Sequence, residues 1–186
     1  MWRWASCSRV LPLLLAVAAA SPAAARLFLS QDQALERAFG TDARVERQVV
    51  FLTPDQVTRA REAAGPGVEV ASALVTRYAA RAADGTPLGT AYFDTHRVRT
   101  LQETLMIVLG PDGTVTRLEV LAFGEPEEYL GREKWLAQYR GRPLDRDLAL
   151  GRGIHGITGA TLTARAVTQA VRRTLAIHAA VGSGAP

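Results

Sequence analysis

Thr158, Thr161 and Thr163 crowd together in the stretch GIHGITGATLTAR, which runs from Gly153 to Arg165. The residues that follow read as an amphipathic helix. Thr163, Ala164, Val167, Ala170, Val171, Thr174, Leu175 and His178 fall on one side at about 100° per residue. Arg165, Gln169, Arg172 and Arg173 fall on the other, and Thr161 sits at the boundary, within reach of solvent. A helix start carries unpaired backbone N–H groups and the positive end of the dipole. Gly159 and Ala160 leave those N–H groups unobstructed, which makes an anion site suited to a phosphate. Arg165 is four residues after Thr161, a helical neighbour placed to neutralise a phosphate ester on the Thr161 hydroxyl. An ordinary helix start accounts for the same residues, with Thr158 as N-cap and Thr161 in the first turn. Spacing alone leaves both readings open.

Other chemistry-bearing groups are weaker. Gly151-Arg152-Gly153-Ile154-His155-Gly156 spells GxGxxG. A dinucleotide turn needs a buried strand before it, a βαβ unit around it and a later acid. No acid follows Asp147, so these glycines read as a tight loop. His96, His155 and His178 show no i, i+4 pair, and no metal site is expected. His178 falls on the packed helix face and reads as a core histidine. His96, Arg97 and Arg99 form a basic cluster that reads as a solvated loop between strands. Glu125, Glu127 and Glu128 read as helix-start acids. Trp135 and Tyr139 read as core. No acid–base pair points to a catalytic residue.

These groups must be positioned by a single domain's worth of chain. Of 186 residues, the first 25 read as a secretory signal. Arg3 and Arg9 are positive, Val10 to Ala20 is apolar apart from Pro12, and Ala23-Ala24-Ala25 offers a cleavage site before Arg26. The rest is expected outside the cytoplasmic membrane, in the periplasm or on the membrane's outer face. Cys7 is the only cysteine and lies in the signal. The expected mature chain therefore has no disulfide, haem-attachment, iron–sulfur or thiolate site. The formal charge is +4, and removing two signal arginines leaves +2. Scattered arginines without a base-stacking aromatic ladder argue against nucleic acid.

Ser30-Gln31-Asp32-Gln33 has capping-box spacing, with a helix to Phe39 and Gly40 as stop. Thr53-Pro54-Asp55-Gln56 repeats it, with a helix to about Ala64. Val45 to Leu52 reads as a strand. Ser72 to Ala80, Leu88 to Phe93, Thr104 to Leu109 and Thr114 to Phe123 read as an antiparallel meander, with turns at Asp84-Gly85 and Pro111-Asp112-Gly113. Glu127 to Tyr139 reads as one helix, with Tyr129, Trp135, Leu136 and Tyr139 on one face. The fold class is α+β: a twisted antiparallel sheet with helices packed mainly on one face. Residues 26–84 read as an N-terminal cap, 85–181 as the ligand-bearing domain and 182–186 as a frayed tail.

Thr158-Gly159-Ala160-Thr161 resembles the Ser/Thr-Gly-Ala-Thr flavinylation motif of the FMN-binding domain family. That family includes extracytoplasmic FMN-carrying subunits of sodium-pumping NADH:quinone oxidoreductases and Rnf-type complexes, and small exported FMN-binding proteins. Leu162-Thr163 matches the usual continuation. The order of strands, turn, acidic helix entry, aromatic helix end and Gly-rich approach is similar from about Gly85 to Ala180. The resemblance implies FMN linked through its phosphate to Thr161 by a flavin transferase. It implies electron transfer with membrane-bound or periplasmic redox proteins, by a carrier or oxidoreductase subunit rather than a stand-alone enzyme. It places Thr158, Gly159, Ala160, Thr163, Arg165, His155 and Gly156 around the phosphate, and Glu125 and Tyr129 near the flavin. Where the family carries Asp, three residues before Thr158, this chain has His155. Two alternatives to the tether follow from that exchange: FMN held without a covalent bond, or a non-redox binding domain that has lost the cofactor.

Overall fold

The structure is a computed structural model that describes residues 25–182. The expected signal, apart from Ala25, and the tail beyond Gly182 lie outside the described residues. The chain runs β1 (Arg26–Leu27), α1 (Gln31–Phe39), β2 (Arg44–Phe51), α2 (Pro54–Ala64), β3 (Leu74–Arg81), β4 (Pro87–Arg97), β5 (Gln102–Leu109), β6 (Val115–Phe123), α3 (Glu133–Leu136) and α4 (Thr161–Val181). Six strands form one antiparallel sheet in the order β1-β6-β5-β4-β3-β2. The meander from β3 to β6 is the expected one, β2 extends it by pairing antiparallel with β3, and the architecture is α+β. The two-residue β1 was not anticipated; Arg26 pairs with Phe123 and Leu27 with Ala122.

Local chemistry sets the helix starts. Both capping boxes are formed: the Ser30 hydroxyl accepts from Gln33 N at 3.2 Å and Gln33 Oε1 from Ser30 N at 3.0 Å. Thr53 and Gln56 do the same at 3.2 and 2.8 Å. Each box satisfies two N–H groups that the helix leaves unpaired.

β5 is the centre of the sheet and is covered on both faces. Leu105, Ile107 and Leu109 join the cluster under α4, and Met106 and Val108 join the cluster with Ala34 and Leu35 of α1. A strand buried on both sides needs an unbroken apolar run, which Leu105 to Leu109 supplies. Helix α4 lays Val167, Ala170, Val171 and Leu175 on that core. Each fully buried Val or Leu there contributes about 1.5–3 kcal/mol. Helix α2 packs on α4 rather than on the sheet, through Ala60, Ala64 and Ala176. Three helices thus serve one face, and α1 partly covers the other.

The expected helix from Glu127 to Tyr139 is not one helix. A 3₁₀ turn at Glu127–Tyr129 ends at Leu130, which is extended (φ −66°, ψ 131°), and α3 with a second 3₁₀ turn at Ala137–Tyr139 completes the segment. Gly131 explains the break. A Cβ there would lie 3.0 Å from Trp135 Cε3, so the indole packs directly on the glycine backbone. Tyr129 is thereby separated from Trp135, Leu136 and Tyr139. Tyr139 is fully buried, and its hydroxyl meets Thr168 Oγ1 at 2.7 Å. Thr168 gives its single proton to Ala164 O, also at 2.7 Å, so Tyr139 is the donor in its own bond.

His96 is not in a solvated loop. It lies on β4, with Nδ1 2.9 Å from Asp94 Oδ1 and Nε2 3.1 Å from Glu103 Oε2. Arg173 of α4 binds both Asp94 oxygens, at 2.8 and 2.7 Å. Glu103 is wholly buried, and its Oε1 has no partner among the described residues. Burial disfavours the imidazolium, but the two carboxylates outweigh it and raise the His96 pKa to about 9. Burial also pushes the Glu103 carboxyl up. Asp94 would rise on burial too, but its bonds from His96 and Arg173 hold it below the usual range. His178 is a core histidine, as its helical face implies. Nδ1 meets the Tyr92 hydroxyl at 2.9 Å, and Nε2 has no partner among the described residues.

A histidine whose folded pKa is raised from 6.5 to about 9 stabilises the fold fully below its unfolded pKa. That contribution is lost as pH rises through about 9. The raised Glu103 carboxyl acts in the same direction. Urea unfolding is therefore expected to show stability falling by about 1–3 kcal/mol between neutral pH and about pH 9.5. His96→Gln is expected to be less stable at neutral pH and to lose most of that slope.

Candidate functional site

Helix α4 opens at Thr161, and no side chain caps it. Its N-cap is Ala160, not Thr158. Ile157 to Ala160 forms a turn closed by Ala160 N to Ile157 O at 3.0 Å, with Gly159 at φ +79°. A positive φ at the third position of such a turn favours glycine. The N–H groups of Thr161, Leu162 and Thr163 have no acceptor among the described residues, and the first turn contains no acid. The positive end of a 21-residue helix is therefore open to an external anion. Thr161 is exposed, whereas Thr163 is only 1% exposed.

These N–H groups border a cleft of about 230 Å³. Gly159, Ala160, Thr161, Leu162 and Thr163 line one side; Val98, Arg99, Glu125 and Tyr129 line the other. The second wall comes from the β4–β5 hairpin and the chain after β6, and Glu125 joins the two. One of its oxygens accepts from the N–H groups of Arg99 (3.1 Å), Thr100 (2.7 Å) and Leu101 (2.8 Å). Those donors, Leu101 foremost, hold the carboxyl below its ordinary pKa. Glu125 is thus not a helix-start acid but a clasp that folds the hairpin toward α4. Arg99 lies over the Tyr129 ring at 5.9 Å, a cation–π contact within the same wall.

A second clasp fixes the approach to α4. His155 O accepts from Trp135 Nε1 at 2.7 Å, and His155 N donates to Gln138 Oε1 at 2.8 Å. Arg142 donates to Gly153 O at 2.8 Å, and Ile154 is fully buried. The GxGxxG run is a tight loop with Gly151 N to Ile154 O and Gly153 N to Asp147 O bonds, five residues short of α4. It has no strand before it, only a single bridge between Leu150 and Ile154. That excludes a dinucleotide turn.

Six of the expected residues therefore meet at one cleft: Gly159, Ala160, Thr161, Thr163, Glu125 and Tyr129. Thr158, His155, Gly156 and Arg165 do not line it. Thr158 and His155 are exposed beside it, and Arg165 is exposed one turn along α4. Val98, Arg99 and Leu162 complete the cleft and were missed. Leu162, 44% exposed at a helix start, carried a signal as an apolar residue on a polar boundary. Val98 and Arg99 carried none, because only the hairpin's fold brings them to α4. Four larger cavities, one of about 720 Å³ beside the end of β4, do not reach residues 155–165.

Residues 102–176 match the family described as the FMN-binding domain. Over these residues the chain is similar to an FMN-binding domain. The match spans β5, β6, Glu125 but not the three N–H groups it accepts from, the clasp on His155, the Thr-Gly-Ala-Thr turn and most of α4. Val98 and Arg99 lie just before the matched residues, so part of the cleft wall comes from the preceding hairpin. No curated protein and no solved structure matches the chain.

The residues at the cleft suit FMN. Free N–H groups on a helix turn that contains no acid match a phosphate, and Val98, Ala160, Leu162 and the Tyr129 ring offer apolar contact to a flat ring system. The volume falls below the roughly 300 Å³ at which pockets begin to enclose a drug-sized ligand. A cleft of this volume would accommodate only part of a flavin.

Removing the Glu125 carboxylate leaves three hairpin N–H groups without their acceptor. Glu125→Ala is expected to cost about 1–3 kcal/mol of stability. Hydrogen exchange at the Thr100 and Leu101 amides should accelerate at least tenfold, while amides of β5 keep their protection.

Proposed function

We propose that this protein is an exported electron-transfer flavoprotein whose FMN is joined through its phosphate to Thr161. The observation that carries the reading is the exposed Thr161 in the lining of the cleft, on a helix turn whose first three N–H groups lack acceptors among the described residues. FMN, once bound, supplies one- or two-electron chemistry, and the protein supplies position and electrostatics. The unpaired N–H groups hold the phosphate, and Arg165 adds positive charge one turn on. The hairpin wall with Tyr129 and Val98 would orient the ring system by apolar contact. A cleft this small retains a flavin poorly by contact alone, which gives a tether its use: an exported carrier that released its flavin would lose it by dilution.

Attachment requires an activated flavin phosphate, delivered as a phosphoanhydride by a flavin transferase. The Thr161 Oγ1–P bond forms as the anhydride P–O bond breaks, and the hydroxyl proton leaves with the departing phosphate. An exposed hydroxyl on an unobstructed turn is open to such an enzyme, whereas the buried Thr163 hydroxyl is not. His155 takes no part in lining the cleft, so its replacement of the family's Asp bears on recognition by the transferase rather than on holding FMN. Electrons then pass between membrane-bound or periplasmic redox proteins, in keeping with an N-terminal segment that reads as a secretory signal.

The test is coexpression with a periplasmic flavin transferase followed by denaturing electrophoresis. Flavin fluorescence is expected to stay with the polypeptide, to vanish in Thr161→Ala and to persist in Thr158→Ala. Yellow protein that loses its colour on denaturation would refute the tether while keeping FMN. Colourless protein would favour the non-redox binding domain.

A further inference from the structure

The far end of α4 carries a second cluster suited to an anion. On the α4 face of the sheet, beyond the last turn of that helix, a cavity of about 450 Å³ is lined by Arg44, Arg77 and Arg81 together with Glu46, Gln48 and Thr90. The β2–β3 register sets Arg44 directly opposite Arg81 and Gln48 opposite Arg77. Directly opposed like charges on a strand pair are destabilising. Arg77 is only 9% exposed, and burying a cation without a counterion is costly. Among the described residues none of the three guanidiniums forms an ion pair.

Their partners are neutral. Arg77 Nε donates to Gln48 Oε1 at 2.8 Å, and its Nη1 reaches Gly182 O at 3.5 Å. Arg81 Nη1 donates to Gly85 O at 3.2 Å. The single carboxylate, Glu46, accepts from Gln48 Nε2 at 3.2 Å and takes no arginine. The C-terminal end of α4 adds a partial negative charge of about one half. Three positive charges therefore face about one and a half negative ones in a cavity open to solvent. Guanidiniums are planar forks that match phosphate and carboxylate oxygens, and phosphate takes several at once.

We propose that Arg44, Arg77 and Arg81 form a binding site for a phosphoryl group, at the opposite end of α4 from Thr161. The two ends are about 30 Å apart on a 21-residue helix, so this site is separate from the flavin cleft. Its ligand is a free phosphate ester or the phosphate of an anionic lipid headgroup, and the two sources share this chemistry.

The experiment has two arms, run on the protein with Thr161 either flavinylated or free. In the first, inorganic phosphate is titrated at constant ionic strength against chloride, and arginine side-chain N–H resonances are followed. Saturable shifts are expected at Arg44, Arg77 and Arg81 but not at Arg165. Affinity is expected to fall at least tenfold in the Arg44→Gln/Arg81→Gln double variant, whose positions are exposed. In phosphate-free buffer Arg81→Gln is expected to melt at or above the temperature of the parent protein, since it removes the Arg44–Arg81 repulsion. In the second arm, flotation compares phosphatidylglycerol vesicles with phosphatidylcholine vesicles. Retention on the former alone, lost in the double variant, assigns a lipid headgroup; phosphate shifts without retention assign a soluble phosphate ester. Absence of both effects, or a double variant that behaves like the parent, overturns the proposal.

Discussion

The structure turns on the burial of one face of α4 against β4 and β5. Thr163, Ala164, Val167, Ala170, Val171 and Leu175 are all at most 3% exposed, so the helix has a single rotational setting. That setting puts Thr161 at the boundary of core and solvent and leaves it exposed. It also fixes where the first turn's unpaired N–H groups point. A slip of one residue would either carry Thr161 into the buried setting of Ala160 or turn Ala164 out to the exposed setting of Arg165. The same apolar contact that stabilises the fold therefore places the candidate attachment oxygen.

Two polar clasps then build a cleft against that helix end from distant parts of the chain. Glu125 gathers three backbone N–H groups of the β4–β5 hairpin, and Trp135, Gln138 and Arg142 hold the 153–155 approach by its backbone. Neither clasp depends on the identity of the His155 side chain. The charged network of Arg173, Asp94, His96 and Glu103 pins the middle of α4 to β4. Its members satisfy one another apart from Glu103 Oε1, as a buried ionic group must to persist. The FMN-binding domain match begins at β5, yet Val98 and Arg99 of the cleft precede it. The strands before residue 102 thus help to shape the cleft.

Features governed by near neighbours were legible in the sequence. Both capping boxes, the Asp112-Gly113 turn and the buried face of α4 follow from residues a few positions apart, and all formed as read. Features governed by remote contacts were not. Pairing of Arg26-Leu27 with β6 has no local signal, being two residues long. The break at Gly131 depends on where the Trp135 indole lands, which periodicity cannot report. His96 looked solvated because its carboxylate partner Glu103 lies across a hairpin, and Glu125 looked like a helix-start acid because its ligands lie 24 to 26 residues back. The Thr-Gly-Ala-Thr turn was legible only as a candidate; Val98 and Arg99 became visible with the hairpin's position.

The central claim is the oxygen–phosphorus bond at Thr161, and peptide mass mapping of the mature protein addresses it most directly. Trypsin cuts after Arg152 and Arg165, which isolates Gly153–Arg165 with all three candidate threonines. The account predicts that this peptide carries the mass of FMN less one water, with fragment ions placing it on Thr161. An unmodified peptide from protein matured alongside an active flavin transferase, or an adduct placed on Thr158 or Thr163, would contradict it.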